Sequence, residues 1–204
     1  MKTIIYLFTL LILSACPKDK APESIAKTTS TTESSSENIA KKKPYIKITF
    51  EGGPFQGTHT FMPPKGDYLS QINVGYHDGV STLNSSKIVS ESGIQIHTIS
   101  RGFMGDAAVG NQTTKKYTEG CGHLNFIDLK NNQTYKRIDG DFTGCSTTQI
   151  TQVTPWKKST VKYRRKVAGK FSDNITFEIT NDDGSKKTIH TKVTVEFLAN
   201  QSKM

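Results

Sequence analysis

The chain has little of what catalysis or membrane crossing usually leaves in a sequence. It holds one Trp and three Cys in 204 residues, and its five His are scattered (His59, His77, His97, His123 and His190). No CxxC, HxH or HExxH spacing occurs, so no metal site is expected. There is no G-x-S-x-G elbow and no phosphate-cradling P-loop, so neither a serine hydrolase nor a nucleotide enzyme is indicated, and no cofactor is expected. Long amphipathic helical patterns are missing, which argues against a helical bundle. No apolar run approaches the ~20 residues of a spanning helix. The longest is Ile4 to Leu13, interrupted by Thr9.

That run has a different use. Lys2 precedes it, and the small residues Ser14 and Ala15 follow it, which is the pattern of a secretory signal. Leu13-Ser14-Ala15-Cys16 resembles the lipobox of bacterial lipoproteins, a hydrophobic residue and two small ones before a Cys. The resemblance covers only the first 16 residues. It implies that Cys16 receives lipid, that residues 1–15 are removed as a signal peptide, and that the acyl chains anchor the protein in a membrane; two or more chains anchor stably. Pro17 stands where an Asp would imply retention in the inner membrane, so the outer membrane is expected. The periplasmic face and the cell surface both stay open.

Residues 16–44 read as a lipid-anchored tether. The stretch from Thr28 to Ser36 is Ser, Thr and one Glu, too polar to offset the entropy of ordering. Lys41-Lys42-Lys43-Pro44 marks its end. That leaves residues 45–204 as one folded domain, ample for a buried core.

The formal net charge is +9. Residues 1–40 balance four Lys against four acids, so the excess lies in the domain. A basic domain attracts anions: glycan, lipid head groups or an acidic protein, with nucleic acid disfavoured for an exported chain.

Period-two patterns dominate the domain. Ile46, Ile48 and Phe50 share one face of a strand over 45–51. Further strands are expected over 56–61, 69–76 (Leu69 or Ile72, Val74 and Tyr76 inward), 87–90, 94–100, 124–129, 134–142, 148–153, 160–168, and in runs centred on Ile175–Ile179 and Ile189–Phe197. His77-Asp78-Gly79, Asn131-Asn132 and Asp182-Asp183-Gly184 are turn signals. Residues 101–122 are Gly-rich and read as a long loop with a short strand over 107–109. Ten to twelve strands with turns at this spacing predict an all-β domain, an antiparallel sandwich or a barrel-like sheet. Gly53-x-Phe55 and Gly169-x-Phe171 echo each other, each read as a bend followed by a core plug.

With Cys16 assigned to lipid, Cys121 and Cys145 are the remaining thiols. They flank the 124–142 hairpin, and an exported compartment permits a disulfide between them. Asp139 and Asp141 share a face and could serve acid–base chemistry on glycan; a solvated pair beside Arg137 is the favoured reading. The sharper feature is basic. Lys157, Lys158, Lys162, Arg164, Arg165, Lys166 and Lys170 follow Trp156 with no acid between 157 and 170. Lys162, Arg164 and Lys166 fall on one strand face, opposite Val161, Tyr163, Arg165 and Val167. Lys157, Lys158, Lys162, Arg164, Lys166 and Trp156 are therefore the candidate anion-binding set, the ring offering a stacking face. The same stripe also fits an edge strand whose lysines deter aggregation. The expectation is a non-enzymatic binding or accessory module on the bacterial envelope. The alternatives are a docking component of an envelope assembly and an inhibitor or immunity lipoprotein, with an enzyme on cell-wall glycan less favoured.

Overall fold

A computed structural model of the chain describes residues 38–66, 71–115, 121–138 and 145–203. Cys16, the signal segment, the tether up to residue 37, Leu69 and the Asp139/Asp141 pair lie outside the described residues. Thirteen strands form the fold: β1 (Tyr45–Glu51), β2 (Gly57–Phe61), β3 (Asn73–His77), β4 (Val80–Ser85), β5 (Ile88–Val89), β6 (Ile94–Met104), β7 (Gly110–Gln112), β8 (His123–Asp128), β9 (Gln133–Arg137), β10 (Thr148–Val153), β11 (Lys157–Lys158), β12 (Tyr163–Thr180) and β13 (Lys186–Lys203). A single helical turn over 38–41 precedes them. No helix among the described residues is long and apolar enough to cross a membrane.

The all-β expectation holds. The 18-residue strands β12 and β13 pair along their whole length, from Thr180 opposite Lys186 to Tyr163 opposite Lys203. The Asp182-Asp183-Gly184 turn closes them, with Gly184 at φ 78°. Every other strand joins this hairpin into one 13-stranded sheet. On the outer edge of β12, β9 covers Phe177–Thr180, β10 covers Val167–Lys170, and β11 faces Tyr163 and Arg164. On the outer edge of β13, β1 covers Lys192–Leu198 and β3 takes Asn200 and Gln201. The pairing path therefore closes on itself through β13, β3, β4, β6, β8, β9 and β12. Two separately stacked sheets are not what forms; the arrangement is the barrel-like one. It is also mixed, because β3 runs parallel to β13.

The alternation read from the sequence places the core. Ile46, Ile48 and Phe50 of β1 are buried, as are Ile175, Phe177 and Ile179 of β12 and Val193, Val195 and Phe197 of β13. Phe50, Phe55, Phe126, Tyr135 and Phe177 meet edge-on or tilted, with ring centroids 4.3 to 6.4 Å apart, in the favourable range for aromatic pairs. The Tyr135 hydroxyl donates to Gln133 Oε1 at 2.9 Å. Burial, with Asp128 nearby, pushes its pKa up to about 12.

Several expectations need correction. Tyr76 points outward and is 51% exposed, while Ile72 and Val74 are buried. Residues 80–85 form β4, paired to β3 through an Asp78-Gly79 turn with both residues at positive φ. The loop begun at Arg101 starts later, since β6 continues to Met104; β7 then lies at Gly110–Gln112 rather than 107–109. The strand expected over 160–168 begins at Tyr163 and runs unbroken through Ser172-Asp173-Asn174.

A β-bulge explains β6. The register against β8 shifts between Ile96 and Thr98. One extra residue reverses which side chains face inward. Ile94 and Ile96 are buried before it, and Ile99, Arg101 and Phe103 after it. Arg101 is thus carried into the core at 1% exposure, where it meets Asp173 of β12 at 2%. Arg101 Nη1 donates to Asp173 Oδ2 at 2.7 Å, and Nη2 donates to Thr114 Oγ1 at 3.0 Å and to the Ser146 carbonyl at 2.5 Å. The guanidinium lies over the Phe171 ring at 4.5 Å. Asp173 Oδ2 also accepts from Arg137 at 3.2 Å; Oδ1 accepts from the Ser146 hydroxyl at 2.7 Å and its amide at 3.2 Å. Burial lowers the Arg101 pKa, and Asp173 opposes that shift.

The two echoed glycines differ. Gly53 sits at φ 75° and makes a bend, whereas Gly169 has no such need. A Cβ on Gly169 would lie 2.7 Å from the Phe197 ring and 2.8 Å from the Gln149 carbonyl. The position is small because β10 and Phe197 close over it. Gly169→Ala is expected to cost about 1–3 kcal/mol through overpacking. A lowered urea midpoint with an unchanged m-value checks it.

Candidate functional site

The end of the hairpin opposite its turn gathers segments distant in sequence. Tyr163 and Lys203 face each other there, with Arg165 and Gln201 one step inward on the same face and Val167 and Ala199 one step further. The last two are fully buried, so this stripe leaves the core and emerges at the rim. Trp156, from the β10–β11 connection, caps it. Arg165 Cζ lies 4.3 Å from the Trp156 ring centroid and Lys203 Nζ 4.5 Å; Lys203 also lies 5.8 Å from the Tyr163 ring. Such contacts attract a cation to the electron-rich ring face.

Arg165 is the fixed member. Its Nη2 donates to Asp106 Oδ1 at 2.7 Å and to the Ala107 carbonyl at 2.9 Å, and its Nε donates to Gln201 Oε1 at 2.6 Å. Gln201 in turn donates to the same Asp106 oxygen at 3.2 Å. Burial lowers the Arg165 pKa and Asp106 opposes it. The charge of Asp106 is thus spent on Arg165. Beside this braced centre lies an open cleft of about 490 Å³ lined by Tyr76, Asp106, Trp156, Lys162, Gln201, Ser202 and Lys203.

The expected basic face divides. Lys162 and Trp156 line the cleft. Lys157 and Lys158 lie in β11 opposite Arg164 and Tyr163, all four exposed at the rim. Lys166 goes to the other side of the hairpin. Its Nζ donates to the Lys42 carbonyl, and burial lowers its pKa. There Ile39 of the helical turn packs with Ala168, Leu198 and Tyr45, so the described fold begins upstream of Tyr45. Trp156 is half-buried, with Arg165 and Lys203 against its ring. The exposed aromatic of the cleft is Tyr76.

Sequence reasoning missed Arg165 as the centre, and missed Lys203, Gln201, Tyr76 and Asp106. One signal was present: Arg165 is the charged residue on the face shared by Tyr163 and Val167. Elsewhere, Asp182 and Asp183 serve the turn: Asp182 Oδ1 accepts from Asn132 and Asp183 Oδ1 from the Ser185 amide. Among the described residues, no group of three His, Cys, Asp or Glu is placed to hold a metal ion. Cys121 and Cys145 form a disulfide. No protein-family model, curated protein or solved structure matches this chain.

Proposed function

We propose that the chain is a lipid-anchored module of the bacterial envelope that binds an anionic partner without transforming it. The observation that carries the binding half is the charge balance of the cleft. Lys162 and Lys203 line it with Trp156, and its carboxylate, Asp106, is engaged by Arg165. An arriving anion therefore meets cations that no acid among the described cleft residues neutralises. The hydrogen bonds among Arg165, Asp106 and Gln201 order the base of the cleft in advance, which lowers the cost of charge recognition there. The anchoring half rests on Leu13-Ser14-Ala15-Cys16, and outer-membrane placement on Pro17.

Two measurements test this. Lys162→Glu/Lys203→Glu is expected to weaken binding to an anionic glycan such as polygalacturonate by more than tenfold at low salt, while the parent loses affinity steeply as salt rises. Unchanged binding in the variant would end the cleft assignment. Cys16→Ser is expected to leave the chain unlipidated and released from cell membranes; if lipid labelling and membrane retention persist, the anchor lies elsewhere.

A further inference from the structure

The two ends of the long hairpin differ in chemistry. At the turn end, Asp182 holds Asn132, and Asp128 accepts from Asn131 and from the amides of the β8–β9 turn. That end sets Asp128, Glu178, Asp182 and Asp183 against Lys130, Lys186 and Lys187, with Lys186 paired to Glu178, so its charges nearly balance. The opposite end is strongly basic, with Lys157, Lys158, Lys162, Arg164, Arg165 and Lys203 against Asp78 and Asp106, and it carries aromatic and exposed aliphatic side chains. The β3–β4 turn and the loop after β6 meet there, through a bond from the Gly105 amide to the Gly79 carbonyl at 2.7 Å. Asp106 of that loop joins it to β12. Of nine large hydrophobic side chains exposed among the described residues, five belong to these segments: Tyr76, Met104, Val109, Val161 and Tyr163. Val161 is 79% exposed, between Lys158 and Lys162. Packing within the fold accounts for none of that exposure.

The chain also enters the fold at this end. Lys166, three residues from Tyr163, donates to the Lys42 carbonyl, and β1 starts at Tyr45 opposite Leu198. Lys41, Lys42 and Lys43 are exposed at this end, on the face of the hairpin opposite the cleft. Everything upstream of residue 38, including Cys16, is attached near Lys166 and not at the turn end, about 45–50 Å away along the strands.

We infer that this end is a membrane-seating surface, with Lys157, Lys158, Lys162 and Lys203 meeting anionic phospholipid head groups and Val161 and Tyr163 dipping into the interface. The inference rests on reading the basic cleft as an anion site, and it names the bilayer as the partner. Three arguments favour a bilayer over a free anion. Tyr and Trp at a rim suit the head-group level, where a ring has one wet and one apolar side. An exposed aliphatic among lysines gains from burial in acyl chains and gains nothing from a soluble anion. The point of chain entry would put this face toward an anchored membrane. Lysines near an anionic surface each strengthen binding about fivefold.

The test uses residues 17–204, which contain every residue of the described fold and neither the apolar run nor Cys16. Sedimentation is measured with phosphatidylcholine vesicles, with and without about 30 mol% phosphatidylglycerol, from about 50 to 300 mM salt. The chain is expected to sediment only with the anionic vesicles, and only at low salt. Lys158→Glu/Lys162→Glu should lose at least tenfold. Lys130→Glu/Lys187→Glu, the same charge change at the turn end, should lose less than twofold. Val161→Ser, which removes the apolar side chain without changing charge, should weaken vesicle binding several-fold and leave polygalacturonate binding unchanged; thermal melts confirm that each variant folds. Equal losses at both ends would reduce the effect to net charge and overturn the inference. Glycan binding without vesicle binding would overturn the bilayer and keep the anion site. Absence of both would remove the anion site as well.

Discussion

Asp173→Asn is expected to destabilise the fold by about 3–5 kcal/mol, the usual cost of removing one partner from a buried ion pair. The reason is local. One carboxylate oxygen takes Arg101 and Arg137, the other takes the amide and hydroxyl of Ser146. An asparagine has the same shape, but its amide NH₂ must face either the guanidinium groups or the Ser146 donors. Arg101, almost without solvent, is then left with neutral partners only. For a domain of this size each kcal/mol lowers the melting temperature by about 2–4 °C, so a fall of about 10 °C is expected in calorimetry. Arg101→Met should cost less, because Asp173 keeps Arg137 and Ser146 while the apolar chain still covers Phe171. The double variant should be milder than the sum of the two, as expected for residues in one network. A loss under about 1 kcal/mol for Asp173→Asn would show that the pair is not what joins β6 to β12.

That pair also shows where reading the sequence stopped. Alternation located the strands wherever inward positions were apolar, as in β1, β8, β10 and the outer part of β13. It failed where an inward position was charged. Phe171-x-Asp173-x-Ile175-x-Phe177-x-Ile179 is one inward stripe, and Asp173 made it look broken, so β12 was split in two. In β6 the strand expected over 94–100 crosses the bulge at Ile96–Thr98 and stops short of Met104, since a shift of one residue changes the parity and puts Ile99, Arg101 and Phe103 inward. An acid inside an apolar stripe on one strand, and an arginine past a parity change on another, were the available signals. The candidate site was half legible for a related reason. Trp156 and the lysines stand together in sequence. Lys203 meets Tyr163 only through the register of an unbroken hairpin, which follows by counting outward from Asp182-Asp183-Gly184 once both strands are known to be continuous. Tyr76 and Asp106 arrive by closure of the sheet, which no local pattern encodes.

Removing the disulfide, by Cys121→Ser/Cys145→Ser or by reduction, is expected to cost about 3.5 kcal/mol on the chain-entropy estimate for the loop it closes. The separation is 24 residues, with Cα atoms 5.5 Å apart. The bond closes the β8–β9 hairpin at its open end, since Cys121 precedes β8 and Cys145 lies beyond β9. Its effect should reach further than entropy. Cys145 is followed by Ser146, whose amide, hydroxyl and carbonyl all bind the Arg101–Asp173 centre. On the other side, Gly122 follows Cys121 at φ 113°, and a Cβ there would stand 1.9 Å from the Ser100 carbonyl, one residue before Arg101. The disulfide thus fixes both walls of the ionic centre, and the two contributions should couple. In the disulfide-free background Asp173→Asn should cost less than in the parent, because Ser146 is no longer held in place. Melting with and without reductant checks the first effect, with an expected fall of about 7–14 °C; a four-member variant cycle checks the second. If the losses add fully, Ser146 is held by its own contacts, and the disulfide acts on the unfolded chain alone.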